Sequence, residues 1–250
     1  MPRDKSHINS LKKGLAIIRM FSLQSSISLS GISSAQGMSV GSAHRYLKTL
    51  HSLGYIKQNV ENKRYQLTPK ILELGFYALK DMGLRKRILP YLLEISRKFN
   101  ITTACSILDG LDILYIERVR SAELVNLDLS TGSRLPVYCT GMGKALLAFL
   151  PSGLQEALIE KLELRPLTPH TITRKETLRK ELAMIKERGY ATCRQELSLG
   201  VESIAAPIFN NQQVEAAISF NLPNMGTGKK HAMEKVLVSH LLKTARDVST

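Results

Sequence analysis

The sequence contains no tryptophan, only three cysteines, and no apolar run approaching the length of a membrane span. Each shortage excludes something. A helix needs roughly 20 consecutive apolar residues to cross a bilayer, so no transmembrane segment is expected. The opening stretch MPRDKSHINS lacks the apolar centre of a secretory signal. Cys105, Cys139 and Cys193 are widely spaced and odd in number. That argues against a disulfide framework and for a reducing cytoplasm. No two cysteines have C-x-x-C spacing, and the six histidines form no H-x-H or H-x-x-x-H pair. A metal site therefore has no support, and no cofactor is expected. A peripheral membrane binder usually exposes Trp, Phe or Leu along a basic amphipathic helix, and here the N-terminal apolar positions read as core.

Acid is scarce in one half only. The chain of 250 residues carries a net charge of +14. Residues 1–100 hold 17 Lys and Arg against 5 Asp and Glu, a net of +12, and the remaining 150 residues are nearly balanced at +2. A strongly basic module joined to a near-neutral one suggests a polyanion partner for the first and a different task for the second. Nucleic acid is a better candidate than a membrane surface.

The stretch GMSVGSAHRYLKTLHSLGYI, residues 37–56, sharpens this. Tyr46, Leu47, Leu50 and Leu53 recur at helical spacing, while Ser39, Ser42, His44, Arg45, Lys48 and Thr49 occupy the other face without a single carboxylate. An ordinary solvated face mixes both signs. Upstream, Asn9 or Ser10 is placed to cap a helix with Leu11, Leu15, Ile18 and Phe21 on its apolar face, ending at Ser25 and Ser26. A short helix over about 30–36 and a turn at Gly37 complete a helix-turn-helix. GYIKQ and RYQLT, joined by the polar residues 59–63, read as a hairpin wing carrying Lys57, Lys63 and Arg64 toward phosphates, with Tyr55, Ile56, Tyr65 and Leu67 inward.

Residues 69–99 continue a helical apolar pattern, with Pro90 inside its second piece. Beyond them, TTACSILDGLDILYIERV is a hairpin about Asp109-Gly110, and ELVNLDL is a further strand before the turn and X-Pro segment of STGSRLPVY. GMGKALLAFL starts a helix among small residues. Helices near 153–162 and 174–188, a hairpin with Asn210-Asn211 at its tip, and a helix from Gly228 to Val248 complete the chain. The order suggests one antiparallel sheet covered by helices, an α+β domain.

The run SLKKGLAIIRMF, the helix-turn-helix ending in H-R-x-L-x-T-L, the G-Y-I strand and the R-Y-x-L-x-x-x-x-L-E-L-G exit together resemble the N-terminal domain of the IclR family of bacterial transcription regulators. ERGYATCRQELSLGVESIAAPIFN is similar to the C-terminal signature of the same family. The sequence departs from the family pattern at Val40 and Gly41 and at Cys193. The resemblance implies a winged helix-turn-helix over residues 8–70, a helical linker and dimerisation segment over 71–90, and a GAF-like effector-binding domain over 91–250. It implies a homodimer, with a tetramer left open. It also implies an effector pocket at Leu124, Leu135, Gly141, Met142, Cys193, Ser203, Ser219 and Asn221. A helix N-terminus and hydroxyl or amide groups suit a small organic acid, and Arg134 and Arg194 would add charge-assisted contacts. LDGLDILYIERVRS and GSRLPVY further resemble the branch that regulates aromatic-acid catabolism, so an aromatic or dicarboxylic acid is expected.

Two other readings compete. Cys193 with His170 as base would make a cysteine-dependent small-molecule enzyme fused to a basic domain. A DNA-architectural protein would explain the basic half and leave the neutral half without a task.

Overall fold

Helix α1 spans Asn9–Met20, and its apolar residues cover a wider arc than one core can use. Ile17 and Phe21 are buried with Ile27 and Ile32, whereas Leu11 and Leu15 are 62% and 50% exposed. The expected apolar face is thus split. Neither Asn9 nor Ser10 caps the helix: Ile8 precedes it in extended conformation, without a side-chain cap, and the helix stops at Phe21, short of Ser25 and Ser26. The computed structural model describes residues 8–22, 24–81, 83–121, 129–222 and 227–250.

Helix α2 (Leu29–Ala35) is capped by Ser28, whose Oγ accepts from the Gly31 N–H at 3.1 Å. Gly37 turns the chain at φ +56, a left-handed conformation that glycine adopts without steric cost. Helix α3 (Val40–Ser52) starts at Ser39, whose Oγ accepts from the Ser42 N–H at 3.2 Å. Ala43, Leu47 and Leu50 are its buried side. Strands β1 (Ile56–Gln58) and β2 (Tyr65–Leu67) form the hairpin, and Ile27 makes a separate antiparallel bridge to Tyr65. Helix α4 (Ile71–Asp81) completes the first compact unit, which ends at Asp81.

The second unit begins with α5 (Gly83–Phe99), which runs through Pro90 and buries Leu84, Ile88, Leu92 and Ile95. The expected linker is therefore shared between the units. A six-stranded antiparallel sheet follows, in the order β5-β4-β3-β8-β7-β6. Its strands are β3 (Thr103–Asp109), β4 (Asp112–Val119), β5 (Arg134–Pro136), β6 (Ala191–Arg194), β7 (Glu202–Asn210) and β8 (Gln213–Asn221). Successive residues point to opposite faces. Cys105, Ala206 and Ile218 pack with α5 and α9 (Thr227–Val248), while Ala104, Ala205 and Ala217 pack on the other side with α6 (Gly141–Ala148) and α8 (Lys175–Arg188). The small residues let α6 lie close to the sheet. Between α6 and α8 runs α7 (Ser152–Lys161). Strand β6 was not anticipated from the sequence, and the expected strand over ELVNLDL falls almost wholly outside the described residues. No described helix is long and apolar enough to cross a membrane.

Candidate functional site

In the first unit, packing Ala43, Leu47 and Leu50 inward leaves Ser39, His44, Arg45, Lys48 and Thr49 exposed on the opposite side of α3, with Ser42 half-buried. Lys57 on β1 and Lys63 at the hairpin tip are exposed as well. Among the described residues, none of these cations meets a carboxylate. The tip is held by Asn59, whose side-chain oxygen accepts from the N–H groups of Glu61 and Asn62 at 2.9 and 3.1 Å. Lys63 closes it at φ +55, an unusual backbone state for a residue with a side chain. Arg64 departs from expectation. Its Nε donates to Ser26 Oγ at 2.8 Å and its Nη2 to the Ser26 carbonyl at 2.6 Å, so its guanidinium ties the hairpin to the α1–α2 loop.

Alongside α3, Leu11, Leu15, Ile18, Tyr46, Leu53 and Leu74 wall a groove of about 690 Å³ that also reaches Arg45. Leu72, Phe76 and Tyr77 on α4 are exposed too.

In the second unit, a cavity of about 40 Å³ lies between the sheet and the start of α6. Gly141, Met142, Cys193, Ser203, Ser219 and Asn221 all line it, as the sequence suggested, together with Thr102, Tyr115, Arg118, Cys139 and Thr140. Pairing of Cys193 with Ser203 and of Ser203 with Asn221 places three of these side by side in one row of the sheet. Thr140 caps α6 by accepting from the Gly143 N–H at 3.1 Å. The N–H groups of Gly141 and Met142 have no acceptor among the described residues, as expected for a first helical turn. A Cβ at Gly141 would lie 3.1 Å from Ser203 Oγ and 3.3 Å from Ala205 Cβ, which measures how tightly α6 sits on β7.

Three expected pocket residues lie elsewhere. Arg134 and Leu135 are on the edge strand β5, outside the cavity wall. Arg134 is paired with Asp109 and, at 3.4 Å, with Asp112, and Leu135 packs against the core beneath α6. Arg194 follows Cys193 in β6 and so projects from the opposite face, where it meets Glu202 at 3.0 Å and Glu234 at 2.8 Å. Leu124 lies outside the described residues.

Behind the cavity wall, Lys144 is 1% exposed, donates to the Thr192 carbonyl at 3.0 Å and pairs with buried Glu196. Glu196 stands within the C-terminal signature stretch, and Lys144 has no role in the sequence reading. A lysine three residues into an apolar helix was the available signal. The cysteine chemistry of the enzyme reading has no footing. Burial pushes the Cys193 thiol up to about 11 and the Cys139 thiol up to about 12, so both stay protonated at neutral pH. His170 is exposed, whereas Cys193 Sγ donates to the Cys139 carbonyl at 3.3 Å.

The comparisons agree with this division of labour. Residues 10–60 match the IclR helix-turn-helix domain, and residues 76–250 match the bacterial transcriptional regulator IclR C-terminal domain. The Pca regulon regulatory protein of Pseudomonas putida is 33% identical over 248 residues, covering 98% of this chain and 84% of that protein. A transcriptional regulator from Rhodococcus sp. RHA1 has a crystal structure that superposes with a TM-score of 0.82 at 34% identity, over 97% of each chain. An IclR homologue from Microbacterium hydrocarbonoxydans, crystallised with 4-hydroxybenzoate, shares the fold with a TM-score of 0.81 at 23% identity, covering 96% of this chain and 97% of that one. A carboxylate-free helix face on a winged helix-turn-helix and a lined cavity in a separate α+β unit are thus the two halves of a transcriptional regulator, not of an enzyme, and the chain belongs to the IclR family.

Proposed function

We propose that the protein binds a double-stranded DNA operator through α3 and the wing of each copy in a homodimer or tetramer, in the cytoplasm. In this reading a small organic acid, aromatic or dicarboxylic, occupies the C-terminal cavity and changes operator affinity. The observation that carries the DNA half is the row His44, Arg45 and Lys48, exposed, unpaired with any described carboxylate and set on a helix whose other side is fully committed to the core. Ser39, Ser42, Lys57 and Lys63 extend it along the face, while Arg64 supports the wing from behind. Arg and Lys on such a helix reach base edges and phosphates when the helix lies in the major groove.

Two recognition helices must be held together to read two half-sites. The uncovered apolar residues of α1 and α4, with Leu11, Leu15 and Leu74 along one groove and Leu72, Phe76 and Tyr77 exposed on α4, support an interface between copies. Support for an acid effector comes from the unpaired N–H groups of Gly141 and Met142 beside the hydroxyl and amide groups of Ser203, Ser219 and Asn221. That the Microbacterium homologue was crystallised with 4-hydroxybenzoate is consistent with it.

The test is footprinting on the intergenic DNA beside the protein's own gene, repeated with small organic acids. A protected site that Arg45→Ala weakens, and whose protection an acid shifts, is the expected result. No protected site, or a variant that binds like the wild type, refutes the DNA half.

A further inference from the structure

Helix α3 ends in a closed turn that still leaves carbonyls to satisfy. Gly54 follows it at φ +79, with its N–H donating to the His51 carbonyl at 2.9 Å, and the Tyr55 N–H donates to the Leu50 carbonyl at 3.0 Å. This closure uses two of the terminal carbonyls and turns the chain toward β1. The next two carbonyls take donors from further along the chain. Thr68 Oγ1 donates to the Gly54 carbonyl at 2.5 Å, and Lys70 Nζ donates to the Leu53 carbonyl at 3.0 Å. The Lys70 ammonium also lies 5.4 Å from the centroid of the Tyr55 ring, and the Thr68 N–H donates to the Tyr55 carbonyl at 2.9 Å. A cation at the negative end of a helix and over an aromatic face is favoured on both counts.

Both donors belong to the start of α4. The N–H groups of Ile71, Leu72 and Glu73 donate to the carbonyls of Thr68, Pro69 and Lys70 at 3.2, 3.0 and 3.1 Å, a tight turn that leads into the helix. The ring of Pro69 removes one more backbone freedom there. Thr68 and Lys70 thus join the last turn of α3 directly to the first turn of α4.

The two helices present different surfaces. His44, Arg45 and Lys48 are exposed on α3, and Leu72, Phe76 and Tyr77 are exposed on α4. If copies meet through α4, the angle between α4 and α3 sets where one recognition helix stands relative to the other. Helix α4 has 11 residues, which at ~1.5 Å each is about 16 Å. A pivot of about 10° at its start moves its far end by about 3 Å, close to the ~3.4 Å between successive base pairs.

We propose that Lys70, backed by Thr68, is a positioning residue for operator reading: it fixes the angle between α3 and α4 and so the half-site spacing that the protein accepts. This deepens the DNA half of the proposed function and rests on its two-copy reading.

Binding titrations of the full-length protein test it on three kinds of duplex. These are the footprinted operator, the same operator with its half-sites moved apart by one or two base pairs, and a single half-site. The wild type is expected to lose at least about tenfold in affinity when the spacing changes. Lys70→Met should narrow that loss to about threefold or less, with single half-site affinity and salt dependence unchanged. Thr68→Val should act in the same direction. Lys70→Arg, which keeps a donor and a cation for the ring, should restore the wild-type preference. A Lys70→Met variant that discriminates spacing as the wild type does overturns the proposal. So does one that weakens every duplex alike and lowers the slope of log affinity against log salt by about 1, because Lys70 is then a phosphate contact. Loss of single half-site binding overturns it too, since Lys70 is then a brace of the unit and nothing more. The two levels separate in the wild type. If it is indifferent to spacing, the two-copy reading falls and the role of Lys70 with it. If it discriminates and Lys70→Met discriminates equally, only the role of Lys70 falls.

Discussion

Arg134, Arg179, Arg188 and Arg194 of the second unit each close onto carboxylates, and Lys144 is sealed against Glu196. In residues 8–81 no ion pair forms among the described residues, although Arg45, Lys48, Lys57 and Lys63 are all exposed. The difference lies in what each unit asks of a cation. Paired with a carboxylate of its own chain, a cation holds two elements together and offers little field to a visitor. Left unpaired in water, it contributes nothing to holding the unit together and remains available to a polyanion. The first unit leaves its charge for a partner, and the second uses its charge internally.

The sharpest way to break the contrast is to remove the buried cation. Lys144→Met leaves the Glu196 carboxylate without its counter-charge, and one of its oxygens, Oε2, already lacks a hydrogen-bond partner among the described residues. A loss of about 3–5 kcal/mol in urea denaturation is expected, and Glu196→Leu in the same chain should recover most of it. Equal stability of the single variant would mean that the pair is not the internal brace described. On the opposite side, Arg45→Ala should cost about 1–3 kcal/mol of operator binding with no change in urea midpoint. A variant that lost stability and kept its affinity would reverse the assignment of roles.

Titration sharpens the contrast a step further. Cys193 and Cys139 have folded-state pKa values of about 11 and about 12, raised by burial from an ordinary 9.0. Above pH 9 the unfolded chain releases these protons first. Stability present below pH 9 should therefore fall by about 1–2 kcal/mol per pH unit for each thiol until the folded value is reached. Replacing Cys193 by Ser should flatten the decline between pH 9 and 11 in thermal melts. A slope unchanged by the substitution would show that another group governs the alkaline limb. The smallest effect belongs to the wing tip. Lys63→Gly suits the left-handed backbone there and removes one charge, so the slope of log affinity against log salt should drop by about 1 with stability unimpaired. A change confined to particular operator sequences would argue for base contact by Lys63.

Much of this was readable in the sequence where one local rule dominated. The repeat of Tyr46, Leu47, Leu50 and Leu53 led to α3, and Asp109-Gly110 led to the β3–β4 hairpin. The helix-start and strand residues of the cavity were reached by motif. What escaped depended on geometry between elements. Leu11 and Leu15 have the spacing of a core face, but burial was decided by Ile17 and Phe21, one turn of the arc away. Arg134 and Arg194 stood near pocket residues in the sequence, yet strand position and alternation carried both out of the cavity. Arg118 was hidden for the converse reason. DILYIERV is apolar on both sides, so it announces neither a face nor the bulge opposite Cys105 and Ser106. Lys144 reads as an anomaly in an apolar helix until Glu196 arrives from 52 residues later.

Gly143 fixes more than a close approach. A Cβ there would collide with the backbone of Val137, so the first turn of α6 and the Val137–Cys139 turn are in direct backbone contact. With no side chain between them to take up slack by changing rotamer, neither segment can shift without the other. Tyr138, in the middle of that turn, donates its hydroxyl to the Arg165 carbonyl at 2.9 Å. The start of α6, the turn and the Arg165 segment therefore form a linkage with few loose joints. Gly141, at the cavity, and Arg165, on the outer surface of the unit, are thus joined through one backbone contact and one tyrosine hydrogen bond.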